Sequence, residues 1–485
     1  MKRVIFPADF YYFYPSGITP CKMYVDVANR IYHAIKNSDL LKHNDNETIM
    51  EIAMCVAMYY EDKMSEIGLW NAFVTIYRQL YSHSMPFFEC DDEYDINDVN
   101  VNEVALLIWI VLTRNSDGDL TCPSSKFVQL AHNIMDLLHD DEVEENKDLY
   151  SFIYNKDNAS DFFKLKHTLF WMRRSYLLRS PFQDISFAEA LGEFEAPFDF
   201  SQALYALESD FLRTKEIGPL ALLAHQWLAQ MFSLNDMHEE ADKLNKLQFL
   251  HRDLFRVLSN TKKLALIKDS HGERHTVINY DSNLFENHDY ISSAFVKCAD
   301  NYWEIDGFVV DSTKMSYEQL REINKEKKKF CLQLYTTALI NNKRKQLDFF
   351  ENKGQLFDLF DDMYSGTDLN PIMQQLPDTS LVVQFSKENG IIVATGCLHA
   401  VKSNDNPYYQ GCDDKSMAIE TVNTITGKNY IHPVLLQYML QNNMLPHGDI
   451  NTDELSAEGN KIFNQHIDFI ARHFLRDNYH PHNTW

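Results

Sequence analysis

Val104 to Leu112 is an unbroken run of nine apolar residues, "VALLIWIVL". A membrane span takes about 20 such residues, and a helix at a protein surface keeps a polar face. The run therefore predicts a helix enclosed on most sides by protein, with Trp109 inside it. The approach to it, "ECDDEYDINDVNVNE", carries seven acidic residues: Glu89, Asp91, Asp92, Glu93, Asp95, Asp98 and Glu103. A calcium loop needs oxygen ligands at positions 1, 3 and 5, glycine at 6 and glutamate at 12. Counting from Asp91 puts Ile96 at the glycine position and Asn102 at the glutamate position. Counting from Asp92 recovers Glu103 but places Tyr94 at position 3. The calcium reading fails in both registers. Asn100 followed by Glu103 instead suggests a helix cap, with acidic groups placed favourably at a helix N-terminus.

A chain of 485 residues with 45% hydrophobic content can bury real cores without disulfides or structural metal. Only 15 Gly and 14 Pro favour long elements over tight turns. The net charge of −25 disfavours nucleic acid and anionic membrane surfaces as general partners. Cys21, Cys55, Cys90, Cys122, Cys298, Cys331, Cys397 and Cys412 are scattered and form no CxxC pair, as expected of reduced thiols. The start "MKRVIFPADF" has no signal-peptide core. These features predict a cytoplasmic protein with no membrane span.

Helical periodicity begins at "TPCKMYVDVANRIYHAI", where Tyr24, Val27, Ala28, Ile31, Tyr32 and Ile35 share a stripe. Similar stripes recur, so residues 20–260 read as one helical region. Within it, "ALLAHQWLAQMFSLNDMHEEADKLNKL" predicts a helical hairpin, with Ala229, Phe232 and Ala241 at tetratricopeptide-like positions but no second copy. Between 262 and 311 two pairs of β-type runs predict a small antiparallel sheet. A long basic helix is expected over about 316–352, then strands at 380–386 and 390–401. Helices are expected near 415–425, 432–443 and 455–476. The fold class is α+β and predominantly helical, divided into 1–260 (helical), 261–355 (sheet plus basic helix) and 356–485 (C-terminal α+β region).

Chemistry-bearing patterns are sparse. Cys397, His399, Cys412 and His432 have zinc-type side chains, but their spacing matches no standard site; His480 and His482 lie on a tail expected to fray. No metal and no cofactor are expected. Pro377-Asp378 and Lys387 flank a strand as in restriction nucleases, but Phe385 stands where the second carboxylate is needed. Phosphate loops, dinucleotide fingerprints, HExxH and GxSxG are absent. Between Lys314 and Lys353 ten basic and five acidic residues leave a local +5. Lys325, Lys327, Lys328 and Lys329 form one cluster there, and Lys343, Arg344 and Lys345 another. The turn "KSNDNPYY" follows a strand and ends on two tyrosines.

"FPADFYYFYPSGITPCKMYVDVANRIYHAI", the acidic approach to the apolar helix, "KSNDNPYY", "NNMLPHGDIN" and "NQHIDFIARHF" resemble an uncharacterised family of large cytoplasmic proteins from Bacteroides-type bacteria. That resemblance implies no activity. The leading expectation is a binding or interaction protein without catalytic activity, with another protein as the partner to look for. Binding candidates are Asn404, Asn406, Tyr408 and Tyr409 at the turn, and Lys327, Lys328 and Arg344 on the basic helix. A hydrolase-type site in the 397–414 strand-loop would draw on His399, Asp405, Asp413 and Asp414. A third reading is a nucleic-acid accessory protein acting through the basic helix at 325–345.

Overall fold

The computed structural model describes residues 3–311 apart from breaks, the longest of them 116–124, then 347–363, 378–410 with three short breaks, and scattered positions as far as 473. Two compact units divide the chain. One comprises Met1–Val111 with Val128–Glu326, the other Leu112–Phe127 with Lys327–Trp485.

The first unit opens with helices α1 (Pro7–Phe10), α2 (Lys22–Asn37), α3 (Asn46–Met64), α4 (Leu69–Tyr81) and α5 (Val101–Asn115). The predicted stripe of α2 is buried, and Asn29 within it is buried too. Its Oδ1 accepts from the backbone N–H of Val4 at 2.7 Å and of Ile5 at 2.9 Å, while Nδ2 donates to Ile5 and Val25 carbonyls. One side chain thereby satisfies four backbone groups and holds the N-terminal segment against α2. In α3 the run Ile52 to Lys63 is buried on every face. Helix α5 is the enclosed helix expected: Val104 to Leu112 are buried and Trp109 is fully so. Asn100 caps it, accepting from the N–H of Asn102 at 2.8 Å. Glu103 serves elsewhere, inside the core.

Helices α6 (Ser125–Leu138), α7 (Lys147–Ile153), α8 (Lys156–Ala159), α9 (Phe162–Met172), α10 (Pro181–Gly192), α11 (Phe200–Thr214), α12 (Ala224–Leu234) and α13 (His238–Asn245) follow. The pair α12–α13 is the predicted helical hairpin. The helical region ends there. Residues expected to continue it to 260 form a strand instead, β1 (Gln248–Asn260).

The expected small antiparallel sheet is a closed barrel. After β1 come β2 (Leu264–Lys268), β3 (Arg274–Ile278), β4 (Tyr290–Ala299), β5 (Tyr302–Ile305) and a short β6 (Val310–Asp311). Neighbours run β1-β2-β3-β5-β4, and β4 pairs back to β1. All of these pairings are antiparallel except β3–β5, which is parallel at Val277 and Trp303. The 13-residue β1 makes the closure possible: it is bulged between Leu250 and Asp253 and between Val257 and Ser259. Bulges increase bending and twist, so one strand can pair with β4 along one half and β2 along the other. Phe255, Ala265, Ile267, Val277, Phe285, Ile291 and Phe295 fill the interior.

The second unit holds a three-stranded antiparallel sheet of β7 (Leu347–Phe350), β8 (Leu381–Ser386) and β9 (Gly390–Thr395), with α14 (Lys353–Met363). Both strands expected at 380–401 form as β8 and β9. Residues 347–350, expected to end the basic helix, form β7. Most of that helix and most of the expected C-terminal helices lie outside the described residues. Among the described residues no helix is long and apolar enough to cross a membrane.

Candidate nucleic-acid interface

The strand registers determine which side chains share a face. Phe255, Ile267 and His275 point inward, so their neighbours Arg256, Lys268 and Arg274 point outward. Arg256 pairs with Lys268 and with Tyr290, and Lys268 pairs with Arg274. The outer surface of β1–β2–β3 therefore carries one cross-strand row, Tyr290–Arg256–Lys268–Arg274, with a spacing of about 4.8 Å between strands. Lys262 and Lys263 project from the β1–β2 turn and are exposed, as are Arg256 and Arg274. Among the described residues none of these five cations has an ion pair. From Leu254 to Ile278 five basic and two acidic residues leave +3 in a chain of −25. Two exposed tyrosines complete the exterior, Tyr280 at the end of β3 (71% exposed) and Tyr302 on β5 (43%). The Tyr280 hydroxyl donates to Glu304.

Two buried ionic networks lie elsewhere in this unit. The first gathers at the end of α3. Lys63 Nζ pairs with Glu103 at 3.0 Å and donates to Asn71 and the Ile96 carbonyl; Tyr59 and Tyr94 hydroxyls also donate to Glu103. Asp62 accepts from the N–H groups of Leu69 (3.1 Å) and Trp70 (2.7 Å), capping α4, and from Tyr176. Glu61 accepts from Tyr14 and from Asn146. Burial pushes the Glu61 carboxyl up to about 7, against these hydrogen bonds. Burial likewise raises Asp62 and Glu103. The space among Tyr14, Glu61, Asp62 and Tyr176 is about 20 Å³, room for about one water. These groups satisfy one another inside the core.

The second network fastens the barrel to the helices. Asp306, just after β5, pairs with Lys166 of α9 at 2.6 Å and with Arg213 of α11. Arg213 also pairs with Asp210, which holds Arg252 of β1 at 3.1 Å. Lys166 lies 4.0 Å over the Tyr205 ring. A separate cleft of about 240 Å³ beside α12 and α13 is lined by Gln226, Gln230, Ser233, His238, Asp242 and Asn245.

The sites expected from sequence lie in the second unit or outside the described residues. Asp413, Asp414, Lys327, Lys328 and Arg344 are outside them, as are Cys397, Cys412 and His432 of the weighed zinc set. His399, Asn404, Asp405, Asn406, Tyr408 and Tyr409 come together in one loop, held by its own backbone. Asn406 is buried and donates to the Leu398 and Val401 carbonyls at 2.7 and 2.8 Å, and accepts from the Tyr408 N–H. His399 Nδ1 lies 3.1 Å from the Tyr408 carbonyl. Asn404 and Asp405 are exposed.

Five strands closed in the order 1-2-3-5-4, with one parallel pairing, have the connectivity of an OB-type Greek-key barrel. The first unit is thus a helical body carrying a small closed barrel. The chain matches the family described as "Protein of unknown function (DUF3843)" over residues 4–253 and 256–476, and it belongs to that family. No curated protein and no solved structure matches it significantly.

Proposed function

We propose that the protein is a binding protein whose barrel holds single-stranded nucleic acid on the outer face of β1–β2–β3. The observation that carries this reading is the row Arg256–Lys268–Arg274, without an ion pair among the described residues, flanked by Tyr290 and extended by Lys262 and Lys263. OB-type barrels bind oligonucleotides on this face by tracking the backbone with cations and stacking bases on aromatic rings. The chain's overall negative charge opposes long-range attraction. The approach of a phosphate to within a Debye length, about 8 Å at physiological salt, is governed by the local cations.

The test is fluorescence anisotropy of a labelled oligothymidylate with the full chain. Binding is expected at about 50 mM salt and should weaken steeply by about 200 mM. R256A/K268A/R274A removes three phosphate contacts, so the slope of log K against log salt should fall by about 2. The three side chains are at least partly solvent-exposed, and the variant should melt as the wild type does. Absence of binding at low salt, or a triple variant that binds like the wild type, would overturn the reading.

A further inference from the structure

The β2–β3 hairpin brings three metal-ligand types together at one end of the barrel. Asp269 follows β2, Glu273 precedes β3, and His275 is the second residue of β3. One donor atom from each lies within 4.8 Å of the others. His275 Nε2 and Asp269 Oδ2 are 2.9 Å apart. Two ligands at about 2.1 Å from a zinc ion are separated by roughly 3–3.5 Å in tetrahedral geometry, so this pair is already close to a chelating arrangement. The Glu273 carboxylate is exposed and has no hydrogen bond or ion pair among the described residues, so it can swing inward at little cost.

Further contacts hold the first two ligands in place. The Glu273 N–H donates to Asp269 Oδ1 at 2.8 Å, which turns Oδ2 towards the imidazole. The Trp303 ring meets His275 edge-on, 5.6 Å between centroids. The turn itself closes through Asp269 N–H to Glu273 carbonyl and Gly272 N–H to Asp269 carbonyl, both 3.1 Å. Gly272, at φ +92°, occupies a conformation that glycine adopts without strain. Metal ligands held by carboxylate and backbone contacts of this kind are pre-oriented for binding.

The geometry points to a zinc site formed by Asp269, Glu273 and His275, with water in the fourth position. One imidazole and two carboxylates suit Zn²⁺ over Mg²⁺ or Ca²⁺, which take all-oxygen sets. The ion staples the hairpin beside Lys268 and Arg274. The site stands on its own geometry and does not depend on the nucleic-acid reading.

The test uses the full chain, stripped with chelator and titrated with Zn²⁺ by calorimetry without nucleic acid. One ion per chain is expected. E273Q, an exposed change that leaves the fold intact, should weaken binding roughly tenfold or more, and H275Q should weaken it further. A Co²⁺-loaded chain should show ligand-field bands without a thiolate charge-transfer band. The proposal is overturned if the wild type has no site tighter than about 10 μM. It is equally overturned if E273Q binds as the wild type does, or if a thiolate band appears.

Discussion

The two buried networks of the first unit solve opposite problems. The cluster at the end of α3 is acid-rich: Glu61, Asp62 and Glu103 lie around Lys63, its one cation among the described residues. The junction between helices and barrel is base-rich: Lys166, Arg213 and Arg252 share Asp306 and Asp210. A buried carboxylate can escape the cost of its charge by taking up a proton, and burial raises all three of those acids accordingly. A guanidinium has no such escape in any accessible pH range. The acid-rich cluster should therefore respond to pH, while the junction should depend on its counter-ions being present.

The largest expected effect is at Asp306. Asp306→Ala leaves Lys166 and Arg213 buried without their shared carboxylate, at a cost of about 3–5 kcal/mol. Chemical denaturation should show this loss changing little between pH 5 and 8, because Arg213 stays charged. The barrel should loosen first, seen as faster amide exchange in β1, β4 and β5 than in α3 and α5. A loss below about 1 kcal/mol, the range of exposed pairs, would end the contrast between the networks.

A slightly smaller effect separates the acid cluster by its pH profile. The Glu61 carboxyl moves from 4.5 to about 7 on folding. The native state holds its proton longer than the unfolded chain, so this contribution is full below pH 4.5 and is lost as pH rises through 7. A shift of that size corresponds to about 3 kcal/mol. His225 acts in the opposite sense. Burial pushes its imidazole from 6.5 down to about 4, and it lies 5.5 Å from the Phe249 ring. Here the unfolded chain takes the proton first, so the contribution is full above pH 6.5 and is lost as pH falls towards 4. The two slopes oppose each other between pH 4.5 and 6.5. Relative to the wild type, Glu61→Gln should add a rise in stability of about 3 kcal/mol across that window, and His225→Phe should add a fall of similar size. Urea midpoints from pH 4 to 8 measure both. Variant profiles parallel to the wild type would mean that neither group is held as the structure has it.

These groups show what sequence patterns carry. The apolar run of α5, the stripe of α2, the α12–α13 hairpin and strands β2 to β5, β8 and β9 were legible because each signal is local. Asn29 was visible in the stripe of α2, but three of its four backbone bonds reach Val4 and Ile5, 24 or 25 residues away. Glu103 looked like a capping residue because its spacing from Asn100 suits one; only the packing of α3 beside it makes it the partner of Lys63. Strand β1 was hidden for a physical reason. Leu250, Leu254 and Leu258 recur every four residues, as on a helix, and the two bulges break the alternation that marks a strand. Without β1 the barrel cannot close and Arg256 has no register with Lys268, so the basic row was invisible. The parallel β3–β5 pairing joins residues 26 apart at Val277 and Trp303, beyond any hairpin signal.

The smallest effect tests whether burial, rather than charge number, sets the strength of the junction. Asp210 touches two arginines, Arg213 and Arg252, as Asp306 touches Lys166 and Arg213, but its side chain is 27% exposed while that of Asp306 is fully buried. Water and salt reach Asp210 and screen both contacts. Removing it leaves Arg213 still paired with Asp306 and Arg252 partly solvated. Asp210→Asn should therefore cost only about 0.5–1 kcal/mol. The loss should shrink as salt rises from about 0.05 to 0.5 M, where the screening length becomes comparable to the contact distance. The Asp306→Ala loss should hardly move over the same range. Equal, salt-independent losses at both aspartates would show that the junction acts as one unit, with Asp210 as deeply committed as Asp306.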